Sequence, residues 1–294
     1  MNKKTLILCA MAGLLMAGCT SKRTQRTVFG KSDKLRVFVT VIPQAGIVKQ
    51  IGGKYVDVKT LVSTGTCPET FSPTPKEIGY LSEADVFISL GLPFEDSWLK
   101  KISGNSSVVN MKKMTDGIVL RELESLKDID GDIHQKGDKD PHVWVSLKNL
   151  VIMANNTSHI LSELMPENKK YFDQNLKTFS DKAKKLDDEL RAKFSKQSNK
   201  NIFVFHPVFG YLADDYGLKQ IPIEIEGKEP SAKQLVELMQ VFKKYDAKLI
   251  FVQPEFSPKT AEAVAKALNA QIIPISVYNE DVFENIEGIV KIWK

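Results

Sequence analysis

The chain has 294 residues, 43% of them hydrophobic, and a formal net charge of +5. This length and apolar content suffice for one large domain or for two smaller lobes with a substantial core. Positive and negative residues are mixed along the chain and do not form blocks, so the sequence carries no footprint of a nucleic-acid-binding protein.

The N-terminus has the pattern of a secreted lipoprotein. Lys3 and Lys4 precede the uncharged run Thr5–Gly18, which is too short to span a bilayer and is typical of the apolar region of a signal peptide. Small residues just before Cys19 predict cleavage there and acylation of its thiol. We therefore expect a signal peptide over residues 1–18 and an extracytoplasmic, membrane-anchored protein, in the periplasm or on the cell surface. The alternative is an ordinary signal peptide with an incidental cysteine.

Residues 19–34 are polar and basic, without an apolar period, and predict a flexible lipidated tether. Cys9 is lost with the leader and Cys19 is acylated, which leaves Cys67 alone. The mature chain is therefore expected to contain no internal disulfide, and its stability must come from its core.

Strands and helices alternate over residues 35–164 and predict a parallel α/β lobe. Thr74, Pro75 and Glu77 have the pattern of an N-cap, a first helical residue and a capping box. The predicted strands are Leu35–Val41, Val56–Val62, Asp85–Leu90 and Ser107–Asn110, and the predicted helices include Pro43–Ile51 and Leu147–Leu164. The polar segment Asp116–Asp140 is predicted to be an exposed, mobile insertion.

A long helix is expected over the linking segment 165–197. From Glu167 to about Phe194 there is no glycine or proline, and apolar residues recur at steps of three and four. About 28 residues at 1.5 Å each give a rod of roughly 40 Å, which is long enough to brace two lobes.

A second α/β lobe is expected over residues 198–294. Its predicted strands are Asn201–Phe205, Gln220–Ile225, Leu249–Val252 and Gln271–Ile275, and its predicted helices are Val208–Tyr216, one capped by Ser231 and Gln234, Pro258–Leu268 and the final residues. The predicted fold class is α/β, with two lobes of parallel sheet flanked by helices and joined by one long backbone helix.

Ligands bind such folds at the carboxyl ends of the strands. Cys67 and Glu69 lie in the loop after the second predicted strand. His206 directly follows the first strand of the second lobe, and Ser276 directly follows the last strand. These residues are therefore the first candidates for a binding site.

Two of the four histidines have the setting of a metal ligand. His142 and His206 each adjoin a proline that fixes the backbone, and neutral imidazole is the commonest transition-metal ligand. Spacing alone favours a structural role for each of them. His159 in a helix and His134 in the insertion are interpreted as structural, with transient metal recruitment as a minor alternative for His134. No phosphate loop, G-x-G-x-x-G, G-x-S-x-G or H-E-x-x-H motif is present.

A series of phrases, in order from about Leu35 to the end, resembles the metal-binding lipoproteins of ABC importers. These are the zinc and manganese receptors with a rigid helical backbone, also called cluster A-I. The phrases are Phe71-Ser72-Pro73-Thr74-Pro75, Ala84-Asp85-Val86-Phe87-Ile88, Asp140-Pro141-His142-Val143-Trp144, Phe205-His206-Pro207-Val208-Phe209-Gly210-Tyr211-Leu212, Tyr216-Gly217-Leu218, Gly227-Lys228-Glu229-Pro230-Ser231-Ala232 and Phe251-Val252-Gln253-Pro254-Glu255-Phe256. The resemblance implies a metal ion held in the cleft between the lobes and small motion on loading.

The resemblance also implies a ligand set. In this family four side chains bind the metal, and His142 and His206 match two of them. Glu69 stands where a histidine is expected and can still bind through its oxygens. Ser276 stands where an acid is expected, which leaves a position for water, Glu280 or Asp281.

Two imidazoles and a carboxylate suit zinc, with manganese as the alternative. Cys67 is a further possible ligand, since a thiolate would favour zinc or copper(I), although a small buried residue is the simpler interpretation.

The predicted function is therefore a receptor, not an enzyme, that captures zinc and delivers it to the permease of an ABC importer, as a monomer without nucleic acid. A divergent relative that no longer binds metal tightly, or that binds a metal chelate such as a siderophore, is one alternative. A zinc hydrolase is another, disfavoured because the ligands come from far-apart loops with no general base beside them.

Overall fold

The computed structural model describes most of the chain from Phe29 to residue 292. The described residues are Phe29, 33–63, 65–66, 68, 71–91, 95, 110–123, 139–224, 230–254 and 258–292. The predicted signal peptide lies outside them, as do Cys19, Cys67, Glu69 and His134. None of the helices in the described ranges combines the length and the apolar character needed to cross a bilayer.

The first lobe is a parallel sheet with strand order β2-β1-β3-β4. Its strands are β1 (Leu35–Val39), β2 (Val56–Thr60), β3 (Val86–Ser89) and β4 (Met111–Lys113), and its helices are α1 (Ile42–Gly52), α2 (Pro75–Leu81) and α3 (Leu147–Leu164). Val37 pairs with Val58 on one side and with Val86 on the other. All three are buried, as expected for a parallel sheet that is covered on both faces.

The second lobe repeats this arrangement, with strand order β6-β5-β7-β8 and parallel pairing throughout. Its strands are β5 (Asn201–Val204), β6 (Lys219–Pro222), β7 (Leu249–Val252) and β8 (Gln271–Pro274), and its helices are α5 (Gly210–Tyr216), α6 (Ala232–Lys244), α7 (Pro258–Leu268) and α8 (Glu284–Ile292). In each lobe the first strand has a neighbour on both sides. The second strand of the lobe pairs with one side of it, and the third strand pairs with the other side. This reversal opens a crevice at the carboxyl ends of the strands, where open α/β sheets bind their ligands.

The predicted long helix is confirmed as α4 (Lys169–Phe194), which follows a 3₁₀ turn at Pro166–Asn168. Its 26 residues span about 39 Å at 1.5 Å per residue. The helix buries one stripe of side chains, Phe172, Phe179, Ala183, Leu186, Leu190 and Phe194. It packs against α1 and α3 of the first lobe and against α5 of the second, so it braces both.

One apolar core runs through both lobes. The largest cluster of buried side chains includes Val37 of the first sheet and Phe251 of the second. Phe179 on α4 contacts Phe283, just before α8, with ring centroids 4.8 Å apart. On α1, a Cβ atom at Gly46 would lie 1.7 Å from the carbonyl oxygen of Glu280, so only glycine lets this second-lobe loop reach α1. A shared, close-packed core resists large relative motion of the lobes.

Local sequence signals account for the starts of α2 and α6. The hydroxyl of Thr74 accepts a hydrogen bond from the backbone N–H of Glu77 (3.3 Å), and Ser231 does the same for Gln234 (3.4 Å), which confirms both predicted capping boxes. The predicted bounds of α3, α7 and β7 are confirmed.

The prediction of a strand at Ser107–Asn110 is wrong at Asn110, the one residue of that range that the structure describes. The fourth strand is β4 at Met111–Lys113, and Asn110 precedes it, accepting a hydrogen bond from the N–H of Phe87 (2.9 Å). Ser107 to Val109 lie outside the described residues. Met111 and Lys113 are exposed, so this edge strand is held by pairing with β3 and has no buried run to mark it in the sequence.

The prediction that Asp116–Asp140 is exposed is wrong at Arg121 and Asp140, whose side chains are 14% and 0% exposed. The backbone N–H of Asp140 donates to the carbonyl of Arg121 (3.0 Å), and Glu122 and Lys139 form an antiparallel bridge. Arg121 and Asp140 are withdrawn from solvent because they pair with one another, whereas Glu122 and Lys139 stay exposed.

Phe29 lies inside the segment predicted as a tether, yet it is 2% exposed. Its ring meets that of Phe38 edge to face, with centroids 5.4 Å apart. It belongs to a small apolar cluster on the first lobe together with Leu81 and Phe87. The packed part of the chain therefore begins no later than Phe29.

A polar contact joins the start of α3 to the end of α5. Ser146, the N-cap of α3, accepts from the N–H of Asn149 (3.1 Å) and donates its own hydroxyl to Asp215 (2.5 Å). Burial raises the pKa of the Asp215 carboxyl, with Asp187 adding to the rise; the Ser146 hydrogen bond, Lys148 and Arg191 oppose it.

This raised pKa makes the stability of the protein depend on pH. An acid whose folded pKa exceeds its unfolded value contributes stability in full below the unfolded pKa, here 3.8, and that contribution is lost as the pH rises through the folded pKa. An Asp215→Asn variant keeps an oxygen for Ser146 and removes the charge. We expect its Tm to exceed that of the parent by about 2 °C near pH 7, with no advantage near pH 4, in scanning calorimetry of the metal-free protein.

The control is Asp188→Asn on the exposed face of α4. Its Tm should stay within about 1 °C of the parent at both pH values. An Asp215→Asn variant that is less stable than the parent near pH 7 would contradict the expected sign.

Candidate metal centre

The structure brings His142 and His206 together, although 64 positions separate them in the sequence (206 − 142). His142 lies just before α3 of the first lobe, and His206 lies two residues after β5 of the second. Both side chains are buried. Their ring centroids are 5.2 Å apart and the ring planes cross at 80°.

His142 is fixed by the aspartate two positions before it. Oδ1 of Asp140 is 2.9 Å from Nδ1 of His142 and also accepts its backbone N–H at 2.9 Å. The intervening Pro141 accepts a hydrogen bond from the N–H of Val143 (2.8 Å), which makes a tight turn. The backbone and the ring of His142 are thus held by one buried carboxylate.

His206 is fixed in the same way by residues of two neighbouring strands. Its Nδ1 contacts Oε1 of Glu224, which follows β6, and its backbone N–H donates to Oε1 of Gln253 (3.3 Å), which follows β7. Both partners are buried. His206, Glu224 and Gln253 meet because they follow adjacent parallel strands at the same edge of the sheet.

This arrangement prepares both rings to bind a metal ion. An imidazole that donates its Nδ1–H to a carboxylate carries its lone pair on Nε2, and a carboxylate behind the ring fixes its orientation and raises its basicity. The Nε2 atoms of His142 and His206 are both buried. Two imidazoles held in this way suit a borderline transition metal such as zinc.

Sequence reasoning found the two histidines but not the carboxylates behind them. The role of Asp140 has a local signal, an acid two residues before a histidine with a proline between them. Glu224 has no comparable signal, since only the pairing of β5 with β6 brings it to His206.

The other predicted ligands are only partly covered by the structure. Cys67 and Glu69 lie outside the described residues. Ser276 is half-buried after β8, and its hydroxyl oxygen accepts the N–H of Tyr278 (3.1 Å). The loop that carries Ser276 reaches the first lobe, because the carbonyl of Val277 accepts a hydrogen bond from the indole of Trp144 (2.9 Å).

Glu280 and Asp281 have other partners. Glu280 is exposed and pairs with Lys49 on α1 (2.7 Å), whereas Asp281 accepts the N–H of Phe283 (2.9 Å). Within the described ranges, no group of three or more His, Cys, Asp or Glu residues is arranged to hold a metal ion. The described part of the site therefore consists of two histidines.

His159, interpreted from the sequence as structural, lies on the surface of α3. Its side chain is 77% exposed on α3, and Nε2 lies 3.2 Å from Glu163 one turn later. His134 lies outside the described residues.

Two parallel α/β lobes, one long bracing helix and two carboxylate-backed histidines in the crevice define a two-lobed solute-binding protein. A model of the family described as zinc-uptake complex component A, periplasmic, matches residues 37–286. The chain belongs to this family, whose members are binding components of transporters, and it is not an enzyme.

Known proteins agree with this assignment. The chain is 30% identical to the high-affinity zinc uptake system protein ZnuA of Bacillus subtilis (strain 168), over 97% of this chain and 89% of that protein. It is 31% identical to the iron ABC transporter substrate-binding lipoprotein MtsA of Streptococcus pyogenes serotype M6, over 90% of this chain and 86% of that protein. A crystal structure of ZnuA superposes with a TM-score of 0.80 and 31% identity, covering 88% of this chain and 97% of that chain.

Proposed function

We propose that this protein binds one zinc ion between its lobes and delivers it to the permease of an ABC importer. The observation that carries the proposal is the pair of buried histidines, His142 and His206, each backed by a buried carboxylate at Nδ1. The names of ZnuA and MtsA support a metal cargo, and they name different metals, zinc and iron.

Zinc is proposed over manganese because of the ligand chemistry. Both described ligands are imidazole nitrogens, which suit zinc, whereas manganese favours sites rich in oxygen. Glu69 is proposed as the third ligand, with water completing the coordination beside Ser276. Two imidazoles and one carboxylate with an open position form a normal zinc site.

The proposed setting is extracytoplasmic. Cys19 is the proposed site of acylation, which tethers a monomer to the membrane beside its permease; the name of MtsA as a lipoprotein supports this. A bulky metal chelate is disfavoured because the two ligand rings lie only 5.2 Å apart, a spacing that suits a bare ion.

Calorimetric titration of residues 21–294, stripped of metal, tests the proposal. We expect one zinc ion per chain with a Kd below about 1 μM, and manganese weaker by at least about 10-fold. Because a carboxylate ligand is lost, Glu69→Ala should weaken zinc binding by at least about 10-fold, whereas Cys67→Ser should change it by less than about 3-fold.

Each arm has an outcome that contradicts it. A parent protein that binds neither zinc nor manganese would contradict the proposal that this protein is a metal receptor. Unchanged zinc affinity in Glu69→Ala, with a loss in Cys67→Ser, would move the third ligand from the carboxylate to the thiol.

A further inference from the structure

Arg121 lies at the meeting point of the two lobes. It lies within the polar segment Asp116–Asp140, and its side chain is only 14% exposed. Nη1 of the guanidinium lies 3.1 Å from Oδ2 of Asp140 in the first lobe. Nε lies 2.8 Å from Oδ2 of Asp214 on α5 in the second lobe.

The contact with Asp140 matters because this carboxylate holds His142. Oδ1 of Asp140 faces the ring and the backbone N–H of His142, and Oδ2 faces Arg121. With both oxygens engaged, the plane of the carboxylate is fixed from two directions. Because Oδ1 contacts Nδ1 of His142, the orientation of the carboxylate also sets the orientation of the ring, and with it the direction in which Nε2 points.

The start of α5 encloses the other side of Arg121. A Cβ atom at Gly210 would lie 1.8 Å from Nη1 of Arg121 and 2.7 Å from Oδ2 of Asp140, so any larger residue there would displace these two side chains. The hydroxyl of Tyr211 donates to the carbonyl of Asp140 (2.9 Å) and accepts the N–H of Arg121 (3.3 Å). Burial raises the pKa of Tyr211, with Asp140 adding to the rise, so the hydroxyl keeps the proton that it donates.

Helix α5 begins four residues after His206 (210 − 206). A shift of α5 would therefore move both the loop that carries His206 and the α5 side chains that contact Arg121, which are Tyr211 and Asp214. One guanidinium thus connects the supports of the two proposed ligands across the lobes. An ion pair that only joined two surface loops would have no reason to be buried against a ligand's carboxylate.

We propose that Arg121 is a positioning residue of the metal site, which holds Asp140 so that His142 points at His206 and which makes this geometry depend on the contact with α5. The inference rests on the proposed zinc binding. It predicts that Arg121 affects the metal without touching it.

The test compares zinc affinity and cobalt(II) absorption spectra of full mature-chain variants. Because outer-shell partners of a ligand set its orientation, Arg121→Gln should weaken zinc binding by about 10–100-fold and alter the visible cobalt spectrum at saturation. Arg121→Lys keeps the positive charge but loses the planar guanidinium, so its zinc affinity should lie between that of Arg121→Gln and that of the parent. Asp214→Asn weakens only the contact between Arg121 and α5, so we expect a smaller loss of zinc affinity, of about 3-fold.

Arg36→Gln is the matched control. The Arg36 guanidinium makes two hydrogen bonds to Asp85, Nη2–Oδ1 at 2.6 Å and Nε–Oδ2 at 3.1 Å, near the amino end of β1, opposite the site. Breaking that pair should lower Tm while leaving the Kd for zinc within about 2-fold and the cobalt spectrum unchanged.

An Arg121→Gln variant that behaves like Arg36→Gln, with lower Tm but parental zinc affinity and cobalt spectrum, would overturn the inference while the parent still binds zinc. If the parent itself binds no zinc, the proposed function fails and this inference fails with it.

Discussion

A His142→Ala/His206→Ala variant is expected to bind zinc at least about 1,000-fold more weakly than the parent. The two imidazoles are the nitrogen ligands of the proposed site, and each is held ready by a carboxylate at Nδ1. Their removal leaves oxygen ligands, which compete poorly with water for zinc. Competition with a zinc chelator of known affinity measures the difference.

The matched control is His159→Ala, which removes an exposed histidine on α3. Its Kd for zinc should remain within about 2-fold of the parent. One-to-one binding of parental affinity in the double variant would place the zinc site elsewhere in the chain.

A Trp144→Ala variant is expected to lose about 3–5 kcal/mol of unfolding free energy. Trp144 is 0% exposed and belongs to the core shared by the two lobes. Its indole N–H binds the carbonyl of Val277 (2.9 Å), and its ring lies 5.5 Å from that of His142 and 5.6 Å from that of Tyr278. Truncation leaves a cavity where the first lobe meets the loop of Ser276. Urea unfolding of the metal-free protein measures the loss.

Two further variants separate the causes. Trp144→Phe keeps most of the apolar volume but leaves the Val277 carbonyl without its donor, so we expect a smaller loss of about 1–3 kcal/mol. Val119→Ala changes a side chain that is 89% exposed and should cost less than about 0.5 kcal/mol. A Trp144→Ala variant as stable as Val119→Ala would show that this contact does not join the lobes.

Where the sequence carries strong local signals, the fold was predictable. Helix α3 has its predicted bounds, and the structure shows Ser146 capping its start, with Pro166 just after its end. Strand β7 was predicted because a short apolar run has polar neighbours on both sides. The position of β4 was not predictable, because an edge strand with exposed Met111 is defined by its hydrogen bonds to β3 and not by its side chains.

The candidate site was predictable to the level of its histidines. His206 became a candidate because it follows an apolar run at the place where parallel sheets bind ligands, and the family resemblance favoured a ligand role over a structural one. Glu224 and Gln253 were missed because their proximity to His206 depends on strand order, which no local pattern encodes. Arg121 was missed because a polar, glycine-rich segment suggests exposure, whereas pairing with Asp140 and Asp214 buries it.

The burial of Phe29 limits how far the packed protein could lie from a lipid anchor at Cys19. If Cys19 carries the lipid, as proposed, ten peptide steps separate the membrane anchor from the first packed side chain (29 − 19). Fully stretched, these steps reach at most about 35 Å. With that anchor, the protein would stay within a thin layer above the bilayer and would reach its proposed permease by lateral diffusion in the membrane plane.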